Sequence, residues 1–272
     1  MSSIGNVSFG SLNHATNAVN NSIKKISTGS RHPSASYGAS EYAISRRMYS
    51  NIGAYNQSIS NTQNSNAMLS TAAGAINNTV SSLTSLRENI VNALNGTNGS
   101  QDLATLQKGV DQTISQINEN AAVTYNGQNL LDGSNPGTTV AGSFGYDTVP
   151  FGNMTSRGLG LTDSSGKSTI DLTDGTSLSS ALDTVDKALN SALDQATTIG
   201  AAQEGLDFQE SNYVTASENL TDSVSTLDDT DIAAETVNLK SAQTQEQLAL
   251  FGIQAHMGLM ANRANVAQLL GR

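Results

Sequence analysis

From Met48 onward, residues recur at alternating intervals of four and three: Ile52, Tyr55, Ile59, Thr62, Asn66, Leu69, Ala73, Ile76, Val80, Leu83, Arg87, Ile90 and Leu94. Most are apolar, and a 3.5-residue repeat sustained this long is the seam of a coiled coil. The pattern predicts one helix from about Ile44 to Asn95, roughly 75 Å long at 1.5 Å per residue. Asn95-Gly96-Thr97-Asn98-Gly99 then breaks it with turn chemistry. A second helix follows, with Leu103, Leu106, Val110, Ile114 and Ile117 on one face, and the two are expected to fold back as an antiparallel hairpin.

The C-terminal half repeats the pattern through Leu182, Val185, Leu189, Ala192, Ala196, Ile199, Gln203, Leu206, Glu210, Tyr213, Ser217, Leu220, Val224 and Leu227. Gln203, Glu210 and Ser217 weaken the seam but can set its register. Such seams need partner helices. Between the halves, residues 123–177 change to Gly, Ser, Thr and Asp, with Pro136 and Pro150. Short β-like pieces at Thr138–Ala141 and Ser168–Leu172 lie between turns, as a small segment at one end of the bundle. Its hydroxyls suit either O-linked glycans or plain solvation.

Both ends are amphipathic as well. Leu12, Ala15, Val19, Ile23 and Ile26 form a stripe before Gly29. Ile232, Leu239, Ala242, Ala249, Ile253, Met257, Met260 and Ala264 form another, and Leu248, Leu250, Phe251 and Leu259 lie off it. The last helix is therefore apolar nearly all round and requires burial on several sides, which copies of the same chain could provide. The fold class expected is mainly α: an elongated coiled-coil bundle of N- and C-terminal segments with a small β-hairpin or loop segment between.

Composition sharpens this. Only 37% of the 272 residues are hydrophobic and 4% aromatic, with no Trp, so narrow seams suit the chain better than one thick core. The net charge of −10 opposes nucleic acid as a main partner, since phosphate binding needs a basic footprint. The charge is uneven. Residues 1–50 carry Lys24, Lys25, Arg31, Arg46 and Arg47 against Glu41, whereas residues 183–235 carry acids such as Asp183, Asp186, Glu204, Glu210, Asp228 and Asp231 against Lys187. These read as complementary surfaces, within or between subunits, or as ordinary solvated faces. With no Cys there is no disulfide or thiolate metal site. The first residues lack the apolar stretch of a cleaved signal, and no apolar run approaches the ~20 residues of a membrane-spanning helix.

No catalytic constellation emerges, and no cofactor is expected. His14, His32 and His256 lie in different segments and form no HExxH pair. Gly158-Leu159-Gly160 lacks the third glycine and the βαβ setting of a dinucleotide site. Asp228, Asp229 and Asp231 could hold a cation; a capping cluster before the last helix is the better reading. Met257 and Met260 read as adaptable packing.

The sequence resembles flagellin, the bacterial flagellar filament subunit, over essentially the whole chain outside the short middle. Ile26-Ser27-Thr28-Gly29-Ser30-Arg31 resembles the family's "LSTGLRI" turn, and Ala43-Ile44-Ser45-Arg46-Arg47-Met48 its "AIsxRM" helix start. Leu83 to Thr97, with Arg87 and Glu88, resembles "LqRvREL…NGT"; Tyr125 to Gly133 resembles "FNGxxLLdG". Asn153 to Leu161 is similar to "dMTtxaLGL", Ile199 to Gln203 to "lGAxQNR", Asp229 to Glu235 to "DADyAxE", and Ala261 to Leu270 to the family's closing "QANqxpqxvLxLL". Any one of these carries little; eight in the same order carry the family.

The resemblance implies a polymer of many copies with no enzyme activity. Residues 1–43 and 230–272 would form an inner coiled-coil core lining the filament channel. Residues 44–133 and 178–229 would form an outer helical bundle, and 134–177 a short variable surface segment. Leu12, Val19, Ile23, Ile26, Ile253, Met257, Met260, Leu269 and Leu270 would then be core-assembly residues. Ile52, Leu69, Ile76, Leu83, Ile90, Leu189, Leu206 and Leu220 would line the bundle seam. The partners implied are the chain itself, the flagellar type III export apparatus, a flagellin chaperone on the C-terminal helix, and the filament cap and hook-junction proteins.

Departures from the pattern matter too. Ser36-Tyr37-Gly38-Ala39-Ser40 replaces the family's "DDAAG". Where many flagellins carry an Arg and a Leu that engage the Toll-like receptor sensing flagellin, this chain has Ser85 and Asn89, although Arg87 and Glu88 remain. Gly109 replaces a Glu, and Glu204-Gly205 an "NR". Weak receptor binding is expected. The alternative within the family is a hook–filament junction protein with the same terminal coiled coils. A peptidase-bearing flagellin would need a large middle domain with HExxH, and an adhesin role of residues 134–177 would be secondary.

Overall fold

A computed structural model describes residues 3–142, 145–174 and 177–271. The elements in chain order are α1 (Ser3–Thr28), α2 (Ala39–Ala93), α3 (Ser100–Ala121), β1 (Thr124–Tyr125), β2 (Gln128–Asn129), β3 (Gly137–Gly142), β4 (Gly145–Pro150), α4 (Leu178–Asp228) and α5 (Ile232–Leu270). The fold is thus mainly α with a small β segment in the middle. The chain divides into two compact units, residues 53–217 and residues 1–52 with 218–272.

In the unit of residues 53–217, three helices share one core. On α2 the buried positions include Leu69, Ala72, Ile76, Thr79, Leu83, Leu86, Ile90 and Ala93, spaced three and four apart, with Met68 and Ala75 beside them. Val110, Ile114, Ile117 and Ala121 face them from α3, and Leu178, Ala181, Val185, Ala188, Ala192, Ile199 and Leu206 from α4. Every second position lies one residue before the expected seam. Arg87 and Leu94 stand exposed while Leu86 and Ala93 are buried; Ala73, Val80, Leu182 and Leu189 flank the core, partly buried. A 3.5-residue repeat tolerates either choice, and the third helix fixes which one faces inward.

Several polar positions of the seam are paired across it, whereas the buried Thr62 hydroxyl has no partner among the described residues. Gln203 Nε2 donates to Ser70 Oγ (2.9 Å), Gln63 Nε2 to Glu210 Oε1 (2.7 Å), and Ser217 Oγ to Asn56 Oδ1 (3.2 Å). Asn66 Nδ2 donates to Asp207 Oδ1 (2.7 Å), and the Arg87 guanidinium meets Asp186 at 2.7 Å. Each step back along α2 matches an equal step forward along α4, so one antiparallel register satisfies all five bonds. A slip of one turn would break them together, which is how sparse polar groups specify register.

Turn chemistry ends the helices. Beyond Ala93, Asn98 Nδ2 donates to the Asn92 carbonyl (2.6 Å), and the Asp102 carboxylate accepts from Gly99 N (3.0 Å) at the start of α3. Between β1 and β2, Asn126 and Gly127 both take positive φ (49° and 76°), the two-residue turn that Asn-Gly favours. The strand expected at Thr138–Ala141 lies inside β3, which pairs antiparallel with β4. Ser168–Leu172 is not a strand; one bridge, Thr162 to Ser168, forms instead. The backbone there bonds a side chain: Gln107 Nε2 donates to the Ile170 carbonyl (3.0 Å) and its Oε1 accepts from Leu172 N (2.8 Å). Leu130, Leu131, Val140, Val149, Phe151, Met154, Leu161, Ile170 and Leu172 are buried in the same cluster as the helices, so the middle segment shares their core.

In the other unit α1 packs against α5. Gly29, with φ of 67°, ends α1 in the left-handed conformation that glycine adopts without strain. The chain then runs beside the end of α4. Thr230 N donates to the Gly29 carbonyl (2.9 Å), Arg31 N to the Asp228 carbonyl, and Ser30 and Asp229 form an antiparallel bridge.

Candidate assembly surface

The pairing of α1 with α5 rests on a few polar bonds. Thr16 Oγ1 donates to Glu246 Oε1 (2.9 Å) and Ser22 Oγ to Glu235 Oε1 (2.7 Å), while Lys25 Nζ lies 3.8 Å from Glu235 Oε2. These bonds join basic and acidic ends within one chain. The Ser22 bond foremost, then Asn238 and Lys25, hold the Glu235 carboxyl below its ordinary range against the opposing effect of burial. Its ionised form is thus favoured by folding, so the stabilisation is full above the unfolded Glu range and fades as pH falls through it toward the lower folded value. The hydrogen-exchange protection factors of the α1 amides in the monomer should fall below about pH 4.5. Glu235→Gln should remove most of that pH dependence.

The three aspartates before α5 divide their roles. Asp231 caps α5, accepting from Ala234 N at 3.0 Å. Asp229 Oδ2 accepts from Ser225 Oγ (2.6 Å). Asp228 does not cap: it is 3% exposed, and its Oδ1 accepts from Ser30 Oγ (2.8 Å) and His32 N (3.1 Å), with His32 Nδ1 at 3.4 Å. Sequence spacing grouped the three because they are adjacent; the partner segment 29–32 separates them. The family-like "STG" turn in residues 27–29 was the signal that something folds back there.

Few apolar side chains of this helix pair are covered. On α1, Ala15 is buried, Leu12, Val19 and Ile26 are half-buried, and Ile23 is 48% exposed. On α5, Ala242 is the buried apolar side chain among the described residues. Ile253 is half-buried, Met257, Met260 and Leu269 are exposed, and the Leu270 side chain lies outside the described residues. Leu248, Phe251 and Leu259 are more than 60% exposed, as is Phe9 on α1, which the stripe omitted. A groove of ≈ 760 Å³ runs between the two helices, lined in part by His14, Ala15, Leu248 and Ala249.

The remaining predicted positions fall on α2, α3 and α4, with Ile52 and Leu220 outside the unit of residues 53–217. Leu69, Ile76, Leu83, Ile90 and Leu206 are buried, whereas Ile52, Leu189 and Leu220 are half-buried. Ser85 and Glu88 are exposed on α2, Asn89 is half-buried, and Arg87 is engaged with Asp186. Gly109 on α3 faces Asn89: a β-carbon there would lie 3.9 Å from its Nδ2. No described helix is long and apolar enough to cross a membrane.

Residues 7–136 match the family described as the bacterial flagellin N-terminal helical region, and residues 182–270 the bacterial flagellin C-terminal helical region. The flagellar filament 30.7 kDa core protein of Treponema maltophilum is 30% identical over 85% of this chain and 87% of its own. A flagellin of Halalkalibacterium halodurans is 31% identical over 84% and 85%. Among solved structures, a Vibrio parahaemolyticus chain described as a flagellar hook-associated protein superposes with a TM-score of 0.61 at 16% identity, over 71% of this chain and all of that one, a likeness of fold.

Proposed function

The chain belongs to the bacterial flagellin family, and we propose that its copies polymerise through α1 and α5, which together line the filament. It is a structural subunit of the flagellar filament, placed outside the cell. The uncovered circumference of α5 supports the assembly reading. A helix apolar on all sides needs several neighbours, and α1 leaves Phe251, Leu259 and Leu269 exposed.

Purified full-length protein, seeded or brought to high salt, should form filaments visible by electron microscopy. Deleting residues 1–30 or 245–272 should abolish them. Unchanged assembly after either truncation would refute the reading.

Family membership supports further partners. We propose export as an unfolded chain through the flagellar type III apparatus, with a chaperone covering α5 beforehand because so large an apolar surface invites aggregation. The filament cap would then order the ends, and hook-junction proteins would hold the filament base. A role as a hook–filament junction protein is less well supported: the hook-associated likeness is one of fold at 16% identity, whereas the relatives at 30% and 31% are a flagellar filament core protein and a flagellin.

Weak engagement of the host Toll-like receptor belongs to the same proposal. Ser85 and Asn89 offer neither the guanidinium nor the apolar anchor of receptor-active relatives. Gly109 offers no carboxylate, and Arg87 is already paired with Asp186. Losing charge-assisted and anchor contacts should weaken the response of reporter cells by about tenfold or more relative to a full-motif flagellin. An equal response would overturn this.

A further inference from the structure

Two exposed patches outside the α1–α5 pair carry side chains that neither the core nor the register bonds use. The first is on α2, where the Arg46 guanidinium lies 5.0 Å from the Tyr42 ring centroid and 5.9 Å from that of Tyr49. Tyr49 is 44% exposed, and Arg46 and Arg47 are exposed beside it. The second is on α4, where Phe208 is 65% exposed, one helical turn from Glu204 and next to Asp207, with Ser211 a turn further on. The α4 seam passes through Leu206 and Tyr213, so Phe208 stands off it.

We propose that, in the filament, the Tyr42–Arg46–Tyr49 cluster of one copy docks on the Glu204–Phe208–Ser211 patch of a second copy. The proposal rests on the filament reading above and names one contact beyond the α1–α5 pair. Charge favours this occupant. Arg46 and Arg47 stand together on α2, with Asp228 and Asp229 of the same copy near enough to act on Tyr49. Glu204 and Asp207 flank Phe208 in a stretch, 188–235, without Lys or Arg, so like patches of the second kind repel and an arginine-bearing patch attracts.

Chemistry favours it too. Tyr and Arg are enriched where interfaces concentrate their energy, and a guanidinium held against two rings is already ordered, so docking costs it little side-chain entropy. Phe208 gains by leaving water against the Tyr rings. Glu204 supplies the carboxylate that an arginine leaving water requires.

The chain has no cysteine, which makes cross-linking decisive. Tyr49→Cys protein and Phe208→Cys protein are mixed, polymerised on seeds of the natural chain, and treated with a short bismaleimide. Covalent dimers should appear in the filaments, not in the unpolymerised mixture. They should also be absent when Ser81→Cys, on another exposed part of α2, replaces Tyr49→Cys. Filaments without dimers above the Ser81 reference overturn the contact.

A charge exchange provides a second reading that needs no cysteine. Glu204→Arg should slow elongation about threefold or more, and adding Arg46→Glu should restore most of it; a double variant no faster than either single overturns the proposal. If the natural chain forms no filaments at all, the filament reading itself fails and this contact falls with it.

Discussion

Asp228→Ala is expected to release the turn at residues 29–32 from the end of α4. The Asp228 carboxylate is almost fully buried and accepts from both Ser30 Oγ and His32 N. Removing it strands the Ser30 hydroxyl in a place water reaches poorly and leaves His32 N only its bond to Ser30 Oγ (3.1 Å). Such a loss costs about 1–3 kcal/mol of local stability. The carboxylate contributes nothing to the capping of α5, which Asp231 performs, so α5 should keep its start. Native-state hydrogen exchange would show the loss as faster exchange of Arg31 and Thr230, whose amides donate across this junction; α3 amides serve as reference. Asp228→Asn keeps an acceptor oxygen and should recover a good part of the loss. If alanine and asparagine behave alike, and neither accelerates exchange at Arg31, the carboxylate is not what fastens the turn.

This junction marks where reading from sequence stops. The helices were legible because a period of 3.5 residues over many turns is written locally, and so were their ends, as at Asn95–Gly99. The Asn126-Gly127 hairpin was equally local, yet two-residue strands are too short for alternation to show. Ser168–Leu172 misled for the opposite reason. Its alternating pattern is real, but Gln107, some sixty residues away, supplies the bonds that a neighbouring strand would have made. Asp228 could not be separated from Asp229 and Asp231 by spacing, since its role depends on a segment almost two hundred residues distant. Gln203, Glu210 and Ser217 were visible as interruptions with a possible role in register, but their partners on α2 needed the fold. The exposure of apolar side chains on α5 was the most legible part, because a helix apolar nearly all round states that it needs cover without naming what supplies it.

The seam itself provides the other large effect. Leu86→Ala is expected to destabilise the bundle by about 3 kcal/mol, within the range for truncating a fully buried leucine whose surroundings collapse only in part. Arg87→Ala, at the neighbouring position that the bare 3.5-residue count favours, should cost about 1 kcal/mol or less, since its bond to Asp186 is solvent-exposed. The contrast follows from which of two adjacent residues the third helix meets: Leu86 is fully buried in the cluster that α3 enters through Val110, Ile114 and Ile117, while Arg87 lies outside it. Urea unfolding followed by circular dichroism measures both variants, and equal m-values would show that the difference lies in stability rather than compactness. A reversed order, with Arg87→Ala the more damaging, would put Arg87 and Leu94 in the seam in place of Leu86 and Ala93. Leu83 and Ile90 belong to both versions of the seam, so Leu83→Ala should cost about as much as Leu86→Ala and serves as the internal reference.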